Sequence, residues 1–156
     1  MIVMSIDPGL SGAIAVFSDD LLIAVIDIPT HELTRNNKTK RQISASALAG
    51  IFRLYMPGHV VVEKVTAQPG NGSVSMFSFG RSFGLIEGIV GAFEIPATYV
   101  MPSVWTKGIG RGAGKDASRS RACELYPSHQ KSFARVKDDG RADAVLIGAW
   151  YLKGNK

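Results

Sequence analysis

Three carboxylates stand at points of the sequence where a fold could gather them. Asp7 ends the apolar run Ile2 to Ile6 and is followed at once by Pro8-Gly9, which places it at the mouth of a strand where the chain must turn. Glu63 repeats that arrangement: Val60-Val61-Val62 reads as a central strand covered on both faces, then comes the acid, then a loop. Asp143 falls in the first turns of a helix whose apolar face is Val145, Leu146, Ala149 and Leu152, and Asp139, four residues earlier, shares its side of that helix while Asp138 points away. Singly, each acid also fits a structural role as a turn, a strand end or a helix cap. Jointly they would set like charges within several ångströms of one another, which is costly unless a cation lies between them. Hard divalent ions draw oxygen ligands from separate chain segments, and two-metal phosphodiester cleavage uses a pair of ions about 4 Å apart. The chemistry indicated is that of a metal-dependent nuclease.

The charge balance agrees with an acidic partner. The chain of 156 residues carries 18 Lys and Arg against 13 Asp and Glu, a formal net charge of +5. Half of the cations lie between Lys107 and Arg141 (Lys107, Arg111, Lys115, Arg119, Arg121, Lys131, Arg135, Lys137 and Arg141), and a second group, Arg35, Lys38, Lys40 and Arg41, occupies a polar stretch. Such clusters release counterions on meeting a phosphate backbone, although a charge run is also an ordinary solvated surface. The single cysteine, Cys123, excludes an internal disulfide and a cysteine-based zinc site, and is expected in the core. His31, His59 and His129 are scattered, with no second histidine at ligand spacing.

The elements that must position these residues follow from periodicity and turn signals. One domain over residues 1–156 is expected from the length. Three short strands are expected at Ile2 to Ile6, Ala13 to Phe17 and Leu22 to Ile28, antiparallel because their connections are short. His31 to Gln42 reads as a loop, Ile43 to Tyr55 as a helix stopped by Pro57-Gly58, and Val60 to Val62 as a strand. A long helix is expected from about Ser73 to Phe93, with Gly80, Gly84, Gly88 and Gly91 lending it a face that another backbone can approach, within the fold or across a dimer. Its aromatics Phe77, Phe79 and Phe83 are expected in the core, with stacking on unpaired bases as the other reading. Thr98 to Met101 is a last strand, Gly108 to Gly114 a basic loop, Lys115 to Tyr126 a helix stopped by Pro127, and Asp139 to Leu152 a terminal helix. The expected fold is an α/β layer with three antiparallel strands followed by two parallel ones, flanked by helices. No stretch approaches the roughly 18 apolar residues of a membrane span, so a cytoplasmic location and no membrane partner are expected.

The run Ser5-Ile6-Asp7-Pro8-Gly9, the Val-Val-Val-Glu63 strand end, the segment from Trp105 to Pro127 with Lys115, and Asp139-Gly-Arg-Ala-Asp143-Ala together resemble the RuvC-type Holliday junction resolvases, especially their bacteriophage members. The ordered set covers nearly the whole chain. The resemblance implies a ribonuclease H-like fold, a homodimer, and dependence on Mg²⁺ or Mn²⁺ with two ions per site and no small-molecule cofactor. It implies paired nicking of four-way DNA junctions to leave 5′-phosphates and 3′-hydroxyls. By that resemblance Asp7 bridges the ions, Glu63 and Asp143 flank it, and a fourth acid completes the set. In the cellular enzymes that fourth acid stands three residues before the final Asp, where this chain has Gly140; Asp139 is the preferred substitute and Asp138 the alternative. The aromatic that follows Glu63 in those enzymes is replaced here by Lys64, Val65 and Thr66, which leaves base contact to Gln68, Asn71 or Phe77. Lys64, Lys107, Arg111, Lys115 and Arg119 are the expected phosphate contacts. Three rival readings are a nuclease of the same fold acting on RNA or an RNA-DNA hybrid, a junction-binding protein without activity, and a sugar-kinase-type phosphate loop, for which the chain is too short.

Overall fold

The computed structural model describes residues 1–64, 66, 70 and 72–155. Its centre is a five-stranded sheet in the order β3-β2-β1-β6-β7, built from β1 (Ile2–Ile6), β2 (Ala13–Ser18), β3 (Leu21–Asp27), β6 (His59–Glu63) and β7 (Ala97–Val100). The first three strands form an antiparallel meander, and β6 and β7 run parallel to β1. This is the mixed sheet expected from the short early connections and the later strand-helix-strand crossovers.

Alternation along the strands sorts the core into two layers. Met4, Ile6, Val60 and Val62 point to one face, where they pack with Leu48 and Phe52 of α1 (Ala45–Tyr55) and Ile86 and Val90 of α2 (Ser73–Ala92). Val3 and Val61 point to the other, against Trp105 of α3 (Pro102–Gly108), Ala122 of α4 (Ala117–Leu125) and Val145 and Leu146 of α5 (Asp139–Gly154). Cys123 is partly buried against this second layer. Two 3-10 turns, Pro127–Phe133 and Val136–Asp138, lead the chain from α4 into α5. No described helix is long and apolar enough to cross a membrane.

Helix α5 lies close on the sheet because small residues face it. The Ser5 hydroxyl donates to the Ala144 carbonyl at 2.6 Å, a buried bond joining β1 directly to the helix backbone. A Cβ added at Gly148 would stand 2.6 Å from Ser5 Oγ and collide with the Phe17 ring. One position of β1 and one of α5 therefore set the spacing between the two elements.

The expected loop from His31 to Gln42 is instead a β-hairpin, β4 (Thr30–Arg35) paired with β5 (Lys38–Ile43) in a separate two-stranded sheet. Its turn is Asn36-Asn37, with φ of 51° and 57°. Two successive left-handed residues match the twist of a tight hairpin, and Asn tolerates that region better than most residues. The strands are polar on both faces, so no apolar alternation marks them in the sequence. Helix α3 was also unread: it is only seven residues long, with Pro102 at its first turn and Gly108 at its end. The glycines Gly80, Gly84, Gly88 and Gly91 of α2 have nothing within 4 Å of an added Cβ, so no close approach among the described residues uses them.

Gly148→Ala is expected to lower the stability by about 1 to 3 kcal/mol, the usual cost of overpacking a well-filled site. Gly154→Ala on the same helix, where a Cβ meets open space, should be without cost. Urea unfolding midpoints of the two variants check this, and an unchanged midpoint for Gly148→Ala would contradict the close packing of α5.

Candidate active site

The parallel pairing of β1 with β6 sets Ile6 opposite Val62, so the next residue on each strand, Asp7 and Glu63, emerges at the same edge of the sheet. Both share the parity of Val3, Ser5 and Val61, which puts them on the α5 side. Asp143 projects from the second turn of α5 toward that edge and lines the same cleft as Asp7. Three segments far apart in the chain thus contribute one carboxyl each to one place.

The loop after Asp7 is folded tightly under it. The Asp7 N–H donates to the Ala13 carbonyl at 3.0 Å, Gly12 N–H to the Gly9 carbonyl at 2.9 Å, and Gly9 N–H to Asp7 Oδ1 at 3.4 Å. Gly140 packs onto this loop: an added Cβ would stand 2.8 Å from Gly12 Cα and 3.1 Å from Asp7 Oδ2, and would collide with the Ser11 carbonyl. No side chain can occupy position 140 without moving the helix or the loop, which is the physical reason an acid is absent there.

Electrostatics set Asp7 apart. Burial, followed by the nearby negative charges of Glu63 and Asp143, raises its pKa from 3.8 to about 7, with the Gly9 N–H opposing. Glu63 is raised by burial and by Asp143, and is held down by the Trp105 indole, whose Nε1–H donates to Oε1 at 3.0 Å, and by Arg111. Asp143 is raised by burial and by Asp139, with the Ser118 hydroxyl and Arg111 pulling it back. Its Oδ1 is buried and has no hydrogen-bond partner among the described residues. An orphaned carboxylate oxygen beside two further acids is the configuration that a cation relieves.

The remaining expected residues divide sharply. Asp138 is 1% exposed and fully engaged: Arg135 donates to it from Nη2 at 2.7 Å and from its backbone N–H at 2.9 Å. Asp139 lines the cleft with Asp7 and Asp143, and its Oδ1 accepts from Arg119 Nε at 2.9 Å. Arg119 is also paired with Asp116 and is largely buried. Arg111 donates from Nε to Ser118 Oγ at 2.5 Å and lies within electrostatic reach of Glu63 and Asp143, inside the site rather than on its rim. Lys64, Lys107 and Lys115 are exposed. Gln68 and Asn71 lie outside the described residues. Phe77 and Phe79, expected in the core, are 73% and 48% exposed and line the cleft, whereas Phe83 is half-buried and packs edge-on against Tyr99.

The cleft has a volume of about 750 Å³ and lies between the Asp7 loop, the first turn of α5, the N-terminal half of α2 and the inner end of β5. Trp105 and Ser118, which orient Glu63 and Asp143, carried no sequence signal, since each acts across a long stretch of chain. Among the described residues no group of three or more His, Cys, Asp and Glu side chains could hold a metal ion as it stands. The donor set nonetheless suits a hard divalent cation in kind, being oxygen only, partly buried and mutually repelling. Ligation requires the carboxyls to turn further toward one another.

The sheet order, the two helical layers and the acids at one sheet edge define the ribonuclease H-like α/β fold. Comparison with solved structures agrees: the chain superposes on Thermus thermophilus RuvC in complex with a Holliday junction substrate with a TM-score of 0.65 at 16% identity, covering 99% of this chain and 96% of that one. It superposes on the Fowlpox virus resolvase in complex with Holliday junction DNA with a TM-score of 0.60 at 19% identity, covering 99% of each chain. In sequence it is 36% identical over 99 residues, 61% of its length, to the chloroplastic Holliday junction resolvase MOC1 of Chlamydomonas reinhardtii. The chain spans 11% of the length of that relative. No protein-family model matches the chain.

A raised carboxyl pKa has a signed consequence for stability. The unfolded chain gives up the Asp7 proton near pH 3.8 and the folded chain near 7, so between those values the native state holds the extra proton and stability falls as pH rises. The displacement corresponds to roughly 4 kcal/mol at full ionisation. In the presence of EDTA, Asp7→Asn is therefore expected to be more stable than wild type at pH 8 by a few kcal/mol, with a flatter profile between pH 5 and 8. Chemical denaturation across that range checks it; a destabilised Asp7→Asn at pH 8 would contradict the repulsion at the site.

Proposed function

We propose that this protein is a metal-dependent endonuclease that resolves four-way or otherwise branched DNA by paired nicks, leaving 5′-phosphate and 3′-hydroxyl ends. The observation that carries the reading is the position of Asp7, buried between Glu63 and Asp143 at one sheet edge, with an orphaned Asp143 oxygen beside it. The relative at 36% identity is named a Holliday junction resolvase, and the two superposed structures are complexes of resolvases with junction DNA, which supports branched DNA as the substrate.

In this reading Asp7, Glu63 and Asp143 would hold Mg²⁺ or Mn²⁺, with Asp7 as the central ligand and the other two beside it. A bound pair of such ions supplies activation of the attacking water and stabilisation of the leaving 3′ oxygen. The protein's own part is to hold the oxygens in place. Trp105 holds one Glu63 oxygen and leaves the other open for ligation, and the Ser5–Ala144 bond holds α5 against the strand that ends at Asp7. Arg111, beside Glu63 and Asp143, offsets part of the negative charge and opposes the upward shift of both carboxyls. Asp139 is the fourth ligand, since Asp138 is consumed by Arg135 and position 140 has no room for an acid.

The cleft walls suit a nucleic acid. Phe77 and Phe79 offer exposed rings for stacking on bases near the cut, and Lys64, Lys107 and Lys115 contact phosphates. A homodimer fits a twofold-symmetric junction, and the open face of α2 with Gly80, Gly84 and Gly88 is the surface for it.

Cleavage of a synthetic four-way junction, a linear duplex and an RNA-DNA hybrid, in Mg²⁺ or EDTA, tests the reading. Wild type should cut the junction preferentially and only with metal. Asp7→Asn should lose at least about a hundredfold in rate, and Asp139→Asn should lose far more activity than a folded Asp138→Asn. Cutting in EDTA, undiminished cutting by Asp7→Asn, or preference for the hybrid would each overturn it.

A further inference from the structure

We propose that the β4–β5 hairpin is a phosphate-binding arm that holds the backbone of a DNA duplex arm next to the cut site. The inference rests on the nuclease reading and adds to it an element that plays no part in the acid cluster.

Residues directly opposite in an antiparallel ladder share a face. Arg35 stands opposite Lys38, Leu33 opposite Lys40, and His31 opposite Gln42, so one face of the ribbon carries three cations and no acid. The hairpin's one acid, Glu32, lies on the other face opposite Arg41. Like charges directly opposite one another destabilise a ribbon, so this arrangement costs stability unless an external anion offsets it.

These cations also differ from four arginines of the segment from α4 to α5. Arg119, Arg121, Arg135 and Arg141 are each paired with a carboxylate. Arg35, Lys38 and Lys40 are exposed and make no ion pair or side-chain hydrogen bond among the described residues. Those arginines are engaged by carboxylates, and the hairpin cations are not.

Position and stiffness complete the case. Lys40 and Gln42 line the cleft that holds Asp7 and Asp143, so the cationic face begins at the site and leads away from it. Six residues per strand at about 3.3 Å give a reach of roughly 20 Å, enough for several phosphates of one strand. The ribbon is braced by its Asn36-Asn37 turn and by the Thr34 and Thr39 hydroxyls, 3.1 Å apart. At its base Arg41 Nη2 donates to the Leu10 carbonyl at 3.0 Å, three residues beyond Asp7, which ties the arm to the loop carrying the central acid. A stiff cationic ribbon fastened there fits a DNA backbone held in fixed relation to the scissile phosphate.

The test is junction binding in EDTA, followed by fluorescence anisotropy over a series of NaCl concentrations. The proteins are wild type, the triple variant Arg35→Ala/Lys38→Ala/Lys40→Ala, its charge-conserving counterpart Arg35→Lys/Lys38→Arg/Lys40→Arg, and a remote triple variant Arg53→Ala/Lys131→Ala/Lys153→Ala. Each phosphate contact contributes about 0.9 to the slope of log affinity against log salt, so the hairpin alanine variant should lose roughly 2 to 3 from that slope and bind about tenfold or more weakly. The charge-conserving variant should keep the wild-type slope, and the remote variant should lose less than about 1. A wild-type slope in the hairpin alanine variant, or an equal loss in the remote variant, would overturn the arm while leaving the nuclease reading intact. A wild-type protein that neither binds nor cuts the junction would remove both.

Discussion

Mutual repulsion among three partly buried carboxyls is the constraint to which the rest of this structure answers. Burial raises the pKa of Asp7, Glu63 and Asp143, and neighbouring acids add to it: Glu63 and Asp143 at Asp7, which titrates near 7, Asp143 at Glu63, and Asp139 at Asp143. A chain optimised only for stability would place Asn or an apolar residue at one of these positions. The surrounding groups lessen the strain without removing it: the Gly9 N–H at Asp7, the Trp105 indole at Glu63, and Ser118 with Arg111 at Asp143. What remains is a concentrated negative charge with one unpartnered oxygen, an environment that favours a hard cation.

Bringing three acids to one edge of the sheet requires the helix bearing the third to approach the sheet closely. Gly148 lets α5 rest against Phe17 and Ser5, Gly140 lets its first turn rest on the Asp7 loop, and the Ser5 hydroxyl fastens the helix through the Ala144 carbonyl. The start of α5 is fixed from outside by Arg141, which grips Asp27 at the end of β3 with two hydrogen bonds of 2.6 and 2.7 Å, and by Arg135 on Asp138. Glycines inside a helix cost backbone entropy. Here they set the distance on which the site depends.

Much of this was legible in the sequence because local pattern and chemistry coincided. The run from Ile2 to Asp7 and the Val-Val-Val-Glu63 strand end each encode a buried strand and the residue at its mouth, and the parallel crossover then brings the two mouths together. The parts that could not be read are contacts between distant segments. Nothing near Trp105 announces its bond to Glu63, and nothing near Gly140 announces the Ser11 carbonyl against it. The hairpin was missed because Thr, Lys and Arg on both faces leave no apolar alternation, although Asn36-Asn37 between β-branched Thr34 and Thr39 was a usable turn signal. Of the nine cations between Lys107 and Arg141, the arginines at 119, 121, 135 and 141 are paired with carboxylates, which a count of charges along the sequence does not reveal.

Metal binding to the protein without DNA examines the repelling acid cluster directly. Calorimetric titration of Mn²⁺ into metal-free protein, repeated in buffers of different ionisation enthalpy, gives both affinity and the number of protons released. Ligation requires an ionised carboxylate, so an Asp7 that titrates near 7 must give up its proton as the ion enters. Proton release should grow as pH falls from 8 to 6, and Asp7→Asn should lose both binding and release. Undiminished Mn²⁺ binding by Asp7→Asn, or binding at pH 6 with no proton released, would contradict it.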